Sequence, residues 1–184
     1  MPQEDGPLKG IISAGRYEGT LSQALHLFKY ASRRDLAQPL GALLAGAVER
    51  AGLHRLPSLL VPVPLHPTRL AWRGYNQAAL LAEAVAATLP GLTVNECLER
   101  RINTRTQIGL GGPERRANVR EAFRMRGGGQ ARGRPVILVD DIWTTGSTME
   151  ECARVLKRWG SGPVWGAAVA AGYDRTSAPG TISG

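Results

Sequence analysis

Cysteine is scarce in this chain, which has only two cysteines in 184 residues, Cys97 and Cys152. The two lie far apart in the sequence, so they form neither a disulfide framework nor a Cys-x-x-Cys zinc site. This cysteine content favours a reducing compartment. With 43% hydrophobic and 21% charged residues, the composition is typical of a globular protein. We therefore expect a single domain over residues 1–184, whose core needs no metal or disulfide cross-links.

Long apolar runs are also missing. The first six residues are polar and acidic, and they lack the apolar stretch that a signal peptide needs. The alanine- and leucine-rich run at 78–89 is shorter than a membrane span and is interrupted by Glu83 and Thr88. We expect no membrane span, a cytoplasmic location, and frayed tails at 1–10 and 174–184.

Two common nucleotide-binding motifs are absent as well. The chain contains neither a Walker A pattern nor a strand-linked G-x-G-x-x-G, so the P-loop and dinucleotide-binding classes lack their defining residues. What is present is an alternation of short apolar segments with amphipathic ones. This alternation predicts an α/β fold with a parallel sheet flanked by helices, in which ligands bind beyond the carboxyl ends of the strands.

The expected elements follow from periodicity, capping residues and glycine or proline breaks. Strands are predicted at 11–17, 59–64, 92–98, 119–125, 136–139 and 164–171. Helices are predicted at 21–28, capped by Thr20, at 36–51, capped by Asp35 and ended by Gly52, and at 78–89 and 149–159.

The stretch at 136–148 organises the rest of the chain: Val-Ile-Leu-Val-Asp-Asp-Ile-Trp-Thr-Thr-Gly-Ser-Thr. Four apolar residues suit a strand buried on both faces, and Asp140 and Asp141 stand where we expect it to end. The Thr-Thr-Gly-Ser-Thr turn leads into a helix, and such a turn presents free N–H groups that hold a phosphate. Because carboxylates repel phosphate, the acids are expected to face a sugar diol or Mg²⁺. The alternative is an ordinary turn in which the two acids bind local N–H groups.

Arginine is concentrated in one segment. Ten arginines lie between Arg100 and Arg134 against two glutamates, and this excess of eight equals the net charge of the whole chain. The segment contains no lysine, which favours bidentate phosphate recognition. We consider three interpretations, a nucleic-acid contact surface, a clamp for a polyphosphate, and a solvated basic loop.

The stretch at 136–148 resembles the PRPP-binding signature of type I phosphoribosyltransferases at all thirteen positions. Three further segments are similar to the ComF (competence protein F) family: Phe28-Lys29-Tyr30; Val61 to His66 with Arg73-Gly74-Tyr75-Asn76-Gln77; and Arg105-Thr106-Gln107 with Arg115 to Val119 and Ala122-Phe123. The similarity runs from about residue 11 to residue 171. Many members of that family begin with a cysteine-rich zinc-binding segment, and because this chain has no such cysteines, it resembles the phosphoribosyltransferase-like domain alone.

The resemblance implies a role for each part of the site. Asp140 and Asp141 would hold the ribose hydroxyls and Mg²⁺, and a flexible arginine-rich hood would cover the ligand. The 5-phosphate would be held by Thr144, Thr145, Gly146, Ser147 and Thr148, and the pyrophosphate by the loop of Pro64, Leu65 and His66. Electrostatic help to the departing pyrophosphate is expected from Mg²⁺ and from nearby cations. The candidates are Lys29, Arg73 and one or two of Arg101, Arg105, Arg115 and Arg116.

For several residues the sequence allows both a structural and a ligand-binding role. Asn76 and Gln77 either cap the helix at 78–89 or shape the pyrophosphate loop. Trp143 either stacks on a base or packs as an ordinary aromatic residue. We expect His26 and His54 to be structural or solvent-facing.

Two classes of function fit these patterns. The first is a PRPP-dependent transferase acting on an unidentified acceptor. The second is a non-catalytic PRPP or nucleotide sensor, or a DNA-uptake accessory protein whose arginine segment contacts a competence partner or DNA. The sequence shows no base-specificity element and no clear general acid or base, and homodimer formation is left open.

Overall fold

The computed structural model describes residues 6–102, 122–127 and 129–172. The strands are β1 Ile11–Arg16, β2 Leu59–Pro62, β3 Thr93–Val94, β4 Leu98–Arg100, β5 Phe123–Met125, β6 Val136–Trp143 and β7 Val164–Ala171. The helices are α1 Gly19–Tyr30, α2 Ala37–Arg50, α3 Pro67–Arg73, α4 Gln77–Thr88 and α5 Ser147–Arg158.

Five strands form a parallel sheet in the order β1-β7-β6-β2-β3. This confirms the predicted α/β class. The strand predicted at 164–171 is β7, which lies inside the sheet between β1 and β6. Strands β4 and β5 form a separate antiparallel pair.

Alternating side chains of the sheet supply two cores. Helices α1, α2 and α4 cover one face, where Leu60, Ile137 and Val139 are buried. Helix α5 and the β4–β5 pair cover the other face, where Val61 and Leu138 are buried. Both faces of the central strands are covered, which explains why those strands read as continuous apolar runs.

The side chains of β7 are small, so neighbouring elements approach this strand closely. A β-carbon at Gly166 would lie 2.4 Å from Cδ1 of Ile11 and 2.8 Å from the sulfur of Met149. The absence of a side chain there lets β1 and α5 pack closely across β7. The small residues of this strand are therefore a packing requirement.

Two predicted helix caps are wrong. Arg33 donates hydrogen bonds of 2.8 and 2.6 Å to the Asp35 carboxylate, which therefore does not cap α2. Helix α2 begins at Ala37 after a single 3₁₀ turn. Thr20 lies inside α1, whose N-cap is Glu18. Gly52 follows the end of α2 with a φ of 72°, as predicted for a helix-ending glycine.

Strand boundaries differ from the prediction most clearly at 92–98 and at the end of β6, while β1 and β2 end one and two residues earlier than predicted. The segment at 92–98 contributes to two sheets, because Asn95 N–H still bonds the Leu60 carbonyl whereas Leu98 pairs with Met125. Strand β6 does not end at Val139 but continues to Trp143, because β7 runs beside it as far as Ala171.

Helix α3 was not predicted. Pro67 begins it and His66 caps it, which is a recognisable helix-start pattern. Trp159, expected on the apolar face of α5, follows the end of that helix and is exposed.

The amino-terminal segment contributes to the sheet before β1 begins. Lys9 N–H donates to the Val164 carbonyl at 2.8 Å, and Gly10 accepts from Gly166 at 2.9 Å. Strand pairing thus extends into part of the segment that we expected to be frayed. Within the described ranges, no helix has the length and apolar character needed to span a membrane.

Candidate functional site

The two adjacent acids of β6 lie on opposite faces of the sheet. Side chains alternate along a strand, so Asp140 follows Leu138 toward α5, and Asp141 follows Val139 toward α1. Asp140 is half-buried, whereas Asp141 is 2% exposed. The predicted acid pair therefore separates into a more accessible carboxylate and a buried one.

Asp141 is paired with a lysine from the first helix. Nζ of Lys29 lies 3.3 Å from Oδ2 of Asp141, and Oδ1 of Asp141 accepts from the Ile142 N–H at 3.0 Å. Burial acts to lower the pKa of Lys29, but the nearby Asp141 and Asp140 carboxylates outweigh it and leave that pKa raised. Lys29 is thus held as a cation beneath the site.

The surroundings of Asp140 disfavour its negative charge. Burial, followed by repulsion from Asp141, raises the pKa of Asp140 well above its ordinary value. Its Oδ1 accepts from the Asp141 N–H at 2.8 Å. A carboxylate under this strain gains from any ligand that donates hydroxyl hydrogen bonds or brings positive charge.

The segment after β6 has the form of a phosphate site. Gly146 has a φ of 79° and is the N-cap of α5, so the first N–H groups of this helix face the turn. Thr145 Oγ1 and Ser147 Oγ lie 3.0 Å apart. A pocket of about 40 Å³ is lined by Asp140 and by residues 142–149, which include the predicted phosphate ligands Thr144, Thr145, Gly146, Ser147 and Thr148.

Trp143 packs against this turn. A β-carbon at Gly146 would lie 3.0 Å from Nε1 of Trp143 and 3.4 Å from two carbons of its ring. The half-buried indole therefore supports the turn from one side, which favours the packing interpretation. Position 146 requires glycine for two reasons, its positive φ and the neighbouring indole.

The predicted pyrophosphate loop begins beside the acids. Val63, the residue after β2, donates its N–H to the Val139 carbonyl at 2.9 Å, so the loop of Pro64, Leu65 and His66 starts next to Asp140. His66 ends the loop, and its Nδ1 accepts from the Thr68 N–H at 3.2 Å as the cap of α3. The structure therefore supports a loop-positioning role for His66.

Asn76 fulfils both roles that the sequence left open. Its Oδ1 accepts from the Ala78 N–H at 3.1 Å and caps α4. Its Nδ2 donates to the Val63 carbonyl at 3.1 Å and so fixes the start of the Pro64 loop. One side chain thus joins a helix start to the predicted pyrophosphate loop.

The rest of the Arg73–Gln77 block contacts the end of α1. Tyr75 is buried, and its hydroxyl donates to the carbonyl of Phe28, the residue before Lys29. Arg73 donates to Gln77 Oε1 at 2.5 Å, and its guanidinium carbon lies 5.8 Å from the Tyr30 ring centroid. Two of the sequence blocks that carry the resemblance, 28–30 and 73–77, therefore meet in space.

The arginine-rich segment is only partly described. Arg105, Arg115 and Arg116 lie outside the described residues, as does most of the expected hood. Arg101 lines a cavity of about 340 Å³ together with the Pro64 loop. Arg100 and Arg126 line the same cavity, and sequence reasoning had singled out neither as a site residue, because nothing local distinguishes them from the other arginines.

The carboxylates of the site offer few protein ligands for the predicted Mg²⁺. Mg²⁺ keeps several waters and is usually bound by one or two carboxylates together with substrate phosphates. Asp140 offers such a carboxylate. Asp141 lies on the other face of the sheet, where it is paired with Lys29. The described part of the chain holds no cluster of three His, Cys, Asp or Glu residues suited to a metal. This donor set fits a metal that is carried largely by its ligand.

The two remaining histidines have the surroundings that we expected. His26 is exposed, and its ring centroid lies 4.9 Å from that of Tyr30. His54 is half-buried.

Comparison with known proteins identifies the family. The chain is 36% identical over 164 residues to competence protein F from Haemophilus influenzae, covering 86% of this chain and 72% of that protein. The chain belongs to the competence protein F family. It is also 35% identical over 166 residues to the DNA utilization protein YhgH from Escherichia coli strain K12, covering 88% of this chain and 72% of the relative. The match to competence protein ComFC from Bacillus subtilis is shorter, at 35% identity over 53% of this chain and 38% of that protein.

No protein-family model matches the chain. Among solved structures, phosphoribosylpyrophosphate synthetase from Mycobacterium smegmatis aligns with a TM-score of 0.45 and 17% identity, over 72% of this chain and 33% of that chain. The purine phosphoribosyltransferase from Pyrococcus horikoshii Ot3 aligns with a TM-score of 0.44 and 13% identity, over 73% of this chain and 72% of that chain. The membership in the competence protein F family rests on the sequence relatives.

Proposed function

We propose that this protein binds 5-phosphoribosyl 1-pyrophosphate (PRPP) with Mg²⁺ and transfers the phosphoribosyl group to a small acceptor. The observation that carries the proposal is the position of Asp140. The phosphate-type turn at 144–148 follows it along the same strand, and the Pro64 loop begins beside it through the bond between Val63 and Val139. A ligand with a phosphate at one end and a pyrophosphate at the other would match this spacing of polar groups.

Each half of the site has a chemical task in this proposal. The N–H groups at the start of α5 and the hydroxyls of Thr145 and Ser147 would hold the 5-phosphate. Asp140 would accept hydrogen bonds from the ribose hydroxyls, while the Asp141–Lys29 pair would fix the strand beneath it. The N–H groups of Leu65 and His66 would meet the pyrophosphate.

The transfer breaks the bond between C1 of the ribose and the pyrophosphate oxygen, and the electron pair leaves on pyrophosphate. A new bond forms between C1 and the nucleophilic atom of the acceptor, whose proton passes to solvent. Mg²⁺, when bound, would neutralise charge on the departing pyrophosphate, with Asp140 and the ligand itself as oxygen donors. Polar groups aimed at the leaving pyrophosphate are expected to be the largest catalytic contribution.

A non-catalytic PRPP sensor would use the same site. The names of the relatives suggest a further alternative, a role connected with DNA. Competence protein F and DNA utilization protein YhgH carry names that refer to competence and DNA use. A role of this chain beside DNA or a competence partner therefore remains a proposal, alongside transfer.

Calorimetry with PRPP and Mg²⁺, ribose 5-phosphate and inorganic pyrophosphate tests the two halves of the site separately. We expect Asp140→Asn to weaken binding of PRPP and ribose 5-phosphate by about tenfold or more, since hydrogen bonds to a charged group are worth about 1.5–3 kcal/mol. Binding of pyrophosphate, measured without Mg²⁺ so that the proposed metal contact of Asp140 does not contribute, should change little. Asp35→Asn is the matched control, because Asp35 is exposed and paired with Arg33.

Two outcomes decide between the functions. Absence of PRPP binding by the native protein would contradict both the transferase and the sensor. If PRPP binds, release of pyrophosphate with a panel of nitrogen and oxygen nucleophiles identifies a transferase, and binding without release across that panel identifies a sensor.

A further inference from the structure

Arg34 contacts the short turn between α3 and α4, residues 74–76, which we call the Gly74 turn. Arg34 belongs to the 3₁₀ turn Arg34–Leu36, and its Nη2 donates to the Gly74 carbonyl at 2.5 Å. Its guanidinium carbon also lies 4.8 Å from the centroid of the Tyr75 ring. An exposed arginine usually extends into solvent, so these two contacts with one turn indicate that the side chain is held in a defined position.

The conformation of Gly74 fits this contact. Gly74 follows the last residue of α3 with a φ of 79°, in the left-handed region that favours glycine. A β-carbon at this position would lie 3.2 Å from Nη2 of Arg34. The guanidinium therefore occupies the space that a side chain at position 74 would need.

The backbone just before Arg34 is strained. Ser32 has a φ of 55° and is the only non-glycine residue with a positive φ among those that the structure describes. This conformation is unfavourable for a residue with a β-carbon. The Arg34 N–H donates to the Ser32 carbonyl at 2.9 Å, so the strained residue orients the start of the 3₁₀ turn. Such strain persists where surrounding contacts maintain it, and the contacts of Arg34 with the Gly74 turn are of this kind.

The Gly74 turn joins the two helices that hold the predicted pyrophosphate loop. Helix α3 follows the loop directly, is capped by His66 and ends before Gly74. Helix α4 begins after Asn76, whose side chain donates to the Val63 carbonyl at the start of the loop. The loop is therefore held at both ends by elements that meet in this turn. A shift of the turn would displace both ends together.

We propose that Arg34 is a positioning residue for the pyrophosphate half of the site. By holding the Gly74 turn, it fixes α3 and Asn76, and through them the backbone N–H groups of Leu65 and His66. This inference rests on the proposed function, in which those N–H groups meet the pyrophosphate. Arg34 itself needs no contact with the ligand.

Two neighbouring arginine variants test this role. Arg34→Gln removes the guanidinium, and Arg33→Gln is the matched control because it removes the same charge from an adjacent exposed residue, which is paired with Asp35. Calorimetry without Mg²⁺ measures the binding of pyrophosphate and of ribose 5-phosphate separately. We expect Arg34→Gln to weaken pyrophosphate binding by about fivefold, the equivalent of one hydrogen bond, and to leave ribose 5-phosphate binding unchanged. The control variant should leave both unchanged.

Amide NMR spectra report on the loop without any ligand. We expect the backbone N–H signals of Leu65 and His66 to shift in Arg34→Gln and to stay in place in the control variant. The signals of the turn at 144–148 should stay in place in both variants. A residue that only stabilised the fold would not affect one half of the site in this selective way.

Three results would overturn the positioning role. The first is unchanged Leu65 and His66 signals in Arg34→Gln, and the second is an equal loss of pyrophosphate and ribose 5-phosphate binding in that variant. The third is the same loss of pyrophosphate binding in Arg33→Gln, because it would assign the effect to charge alone. In each of these cases PRPP binding by the native protein stays intact. A native protein that binds neither PRPP nor pyrophosphate would instead contradict the proposed function, and this inference with it.

Discussion

Lys29 and Asp141 form an ion pair across the base of the site, with 3.3 Å between Nζ and Oδ2. The side chain of Asp141 is 3% exposed and that of Lys29 is 27% exposed. The pair therefore compensates a carboxylate that has almost no access to water. Its contribution should appear in stability as well as in ligand binding.

We expect Lys29→Met to lower the free energy of unfolding by about 3 kcal/mol, because a buried carboxylate would lose its cation. Urea denaturation at pH 7 measures the change. The double variant Lys29→Met/Asp141→Asn should recover much of the loss, and Lys9→Met, at an exposed position, is the control. Equal stability of native protein and Lys29→Met would show that the pair contributes nothing.

The Tyr75 hydroxyl should matter for both stability and affinity. Tyr75→Phe leaves the Phe28 carbonyl at the end of α1 without its donor, at a cost of about 1 kcal/mol. Because Lys29 follows Phe28, we also expect weaker PRPP binding. Tyr17→Phe, at an exposed tyrosine directly after β1, should change neither quantity. If Tyr75→Phe binds PRPP like the native protein, the tyrosine does not position Lys29.

Gly146→Ala separates backbone strain from side-chain contact. A left-handed alanine costs about 1–2 kcal/mol, and the new methyl group would also press on Trp143. Gly52→Ala is the control, since its φ of 72° is similar and its β-carbon would meet nothing within 4 Å. We expect the larger loss of unfolding free energy at position 146, together with loss of PRPP affinity. Equal losses at the two positions would show that the indole adds no constraint.

The raised pKa of Asp140 predicts how stability varies with pH. The folded state holds the Asp140 proton more tightly than the unfolded state does. The resulting contribution to stability is therefore fully present below the unfolded pKa of Asp140, near 3.8. That contribution is lost as the pH rises through the folded pKa. We expect Asp140→Asn to be more stable than the native protein at pH 8 and to show a smaller loss between pH 4 and pH 8. Urea denaturation of both proteins at several pH values measures this. A difference in unfolding free energy that stays the same from pH 4 to pH 8 would contradict the expectation.

Prediction from sequence succeeded where one physical effect dominates. The buried strands β2, β6 and β7 could be recognised because both faces of the sheet are covered. Helix α2 could be recognised because its apolar residues recur with helical spacing, and α4 because it is rich in alanine and leucine and ends before Pro90 and Gly91. The turn at 144–148 and the helix that follows it were equally visible, because a glycine between hydroxyl residues follows a buried strand.

Prediction failed where the outcome depends on residues outside the local pattern. Asp35 is a good helix cap in principle, but Arg33 is near enough to take both carboxylate oxygens. The end of β6 depends on how far β7 extends, which the sequence of β6 alone does not contain. The cavity beside the Pro64 loop depends on the β4–β5 pairing, so its arginines could not be distinguished from their neighbours.

The double role of Asn76 limits what can stand at that position. Aspartate could cap α4 but has no N–H to offer the Val63 carbonyl, and serine is too short to serve both partners. A change that frays the first turn of α4 would also release the start of the Pro64 loop. A substitution in α4 is therefore expected to weaken the proposed PRPP binding in a chain that remains folded, through the loop and not through a contact of the helix itself.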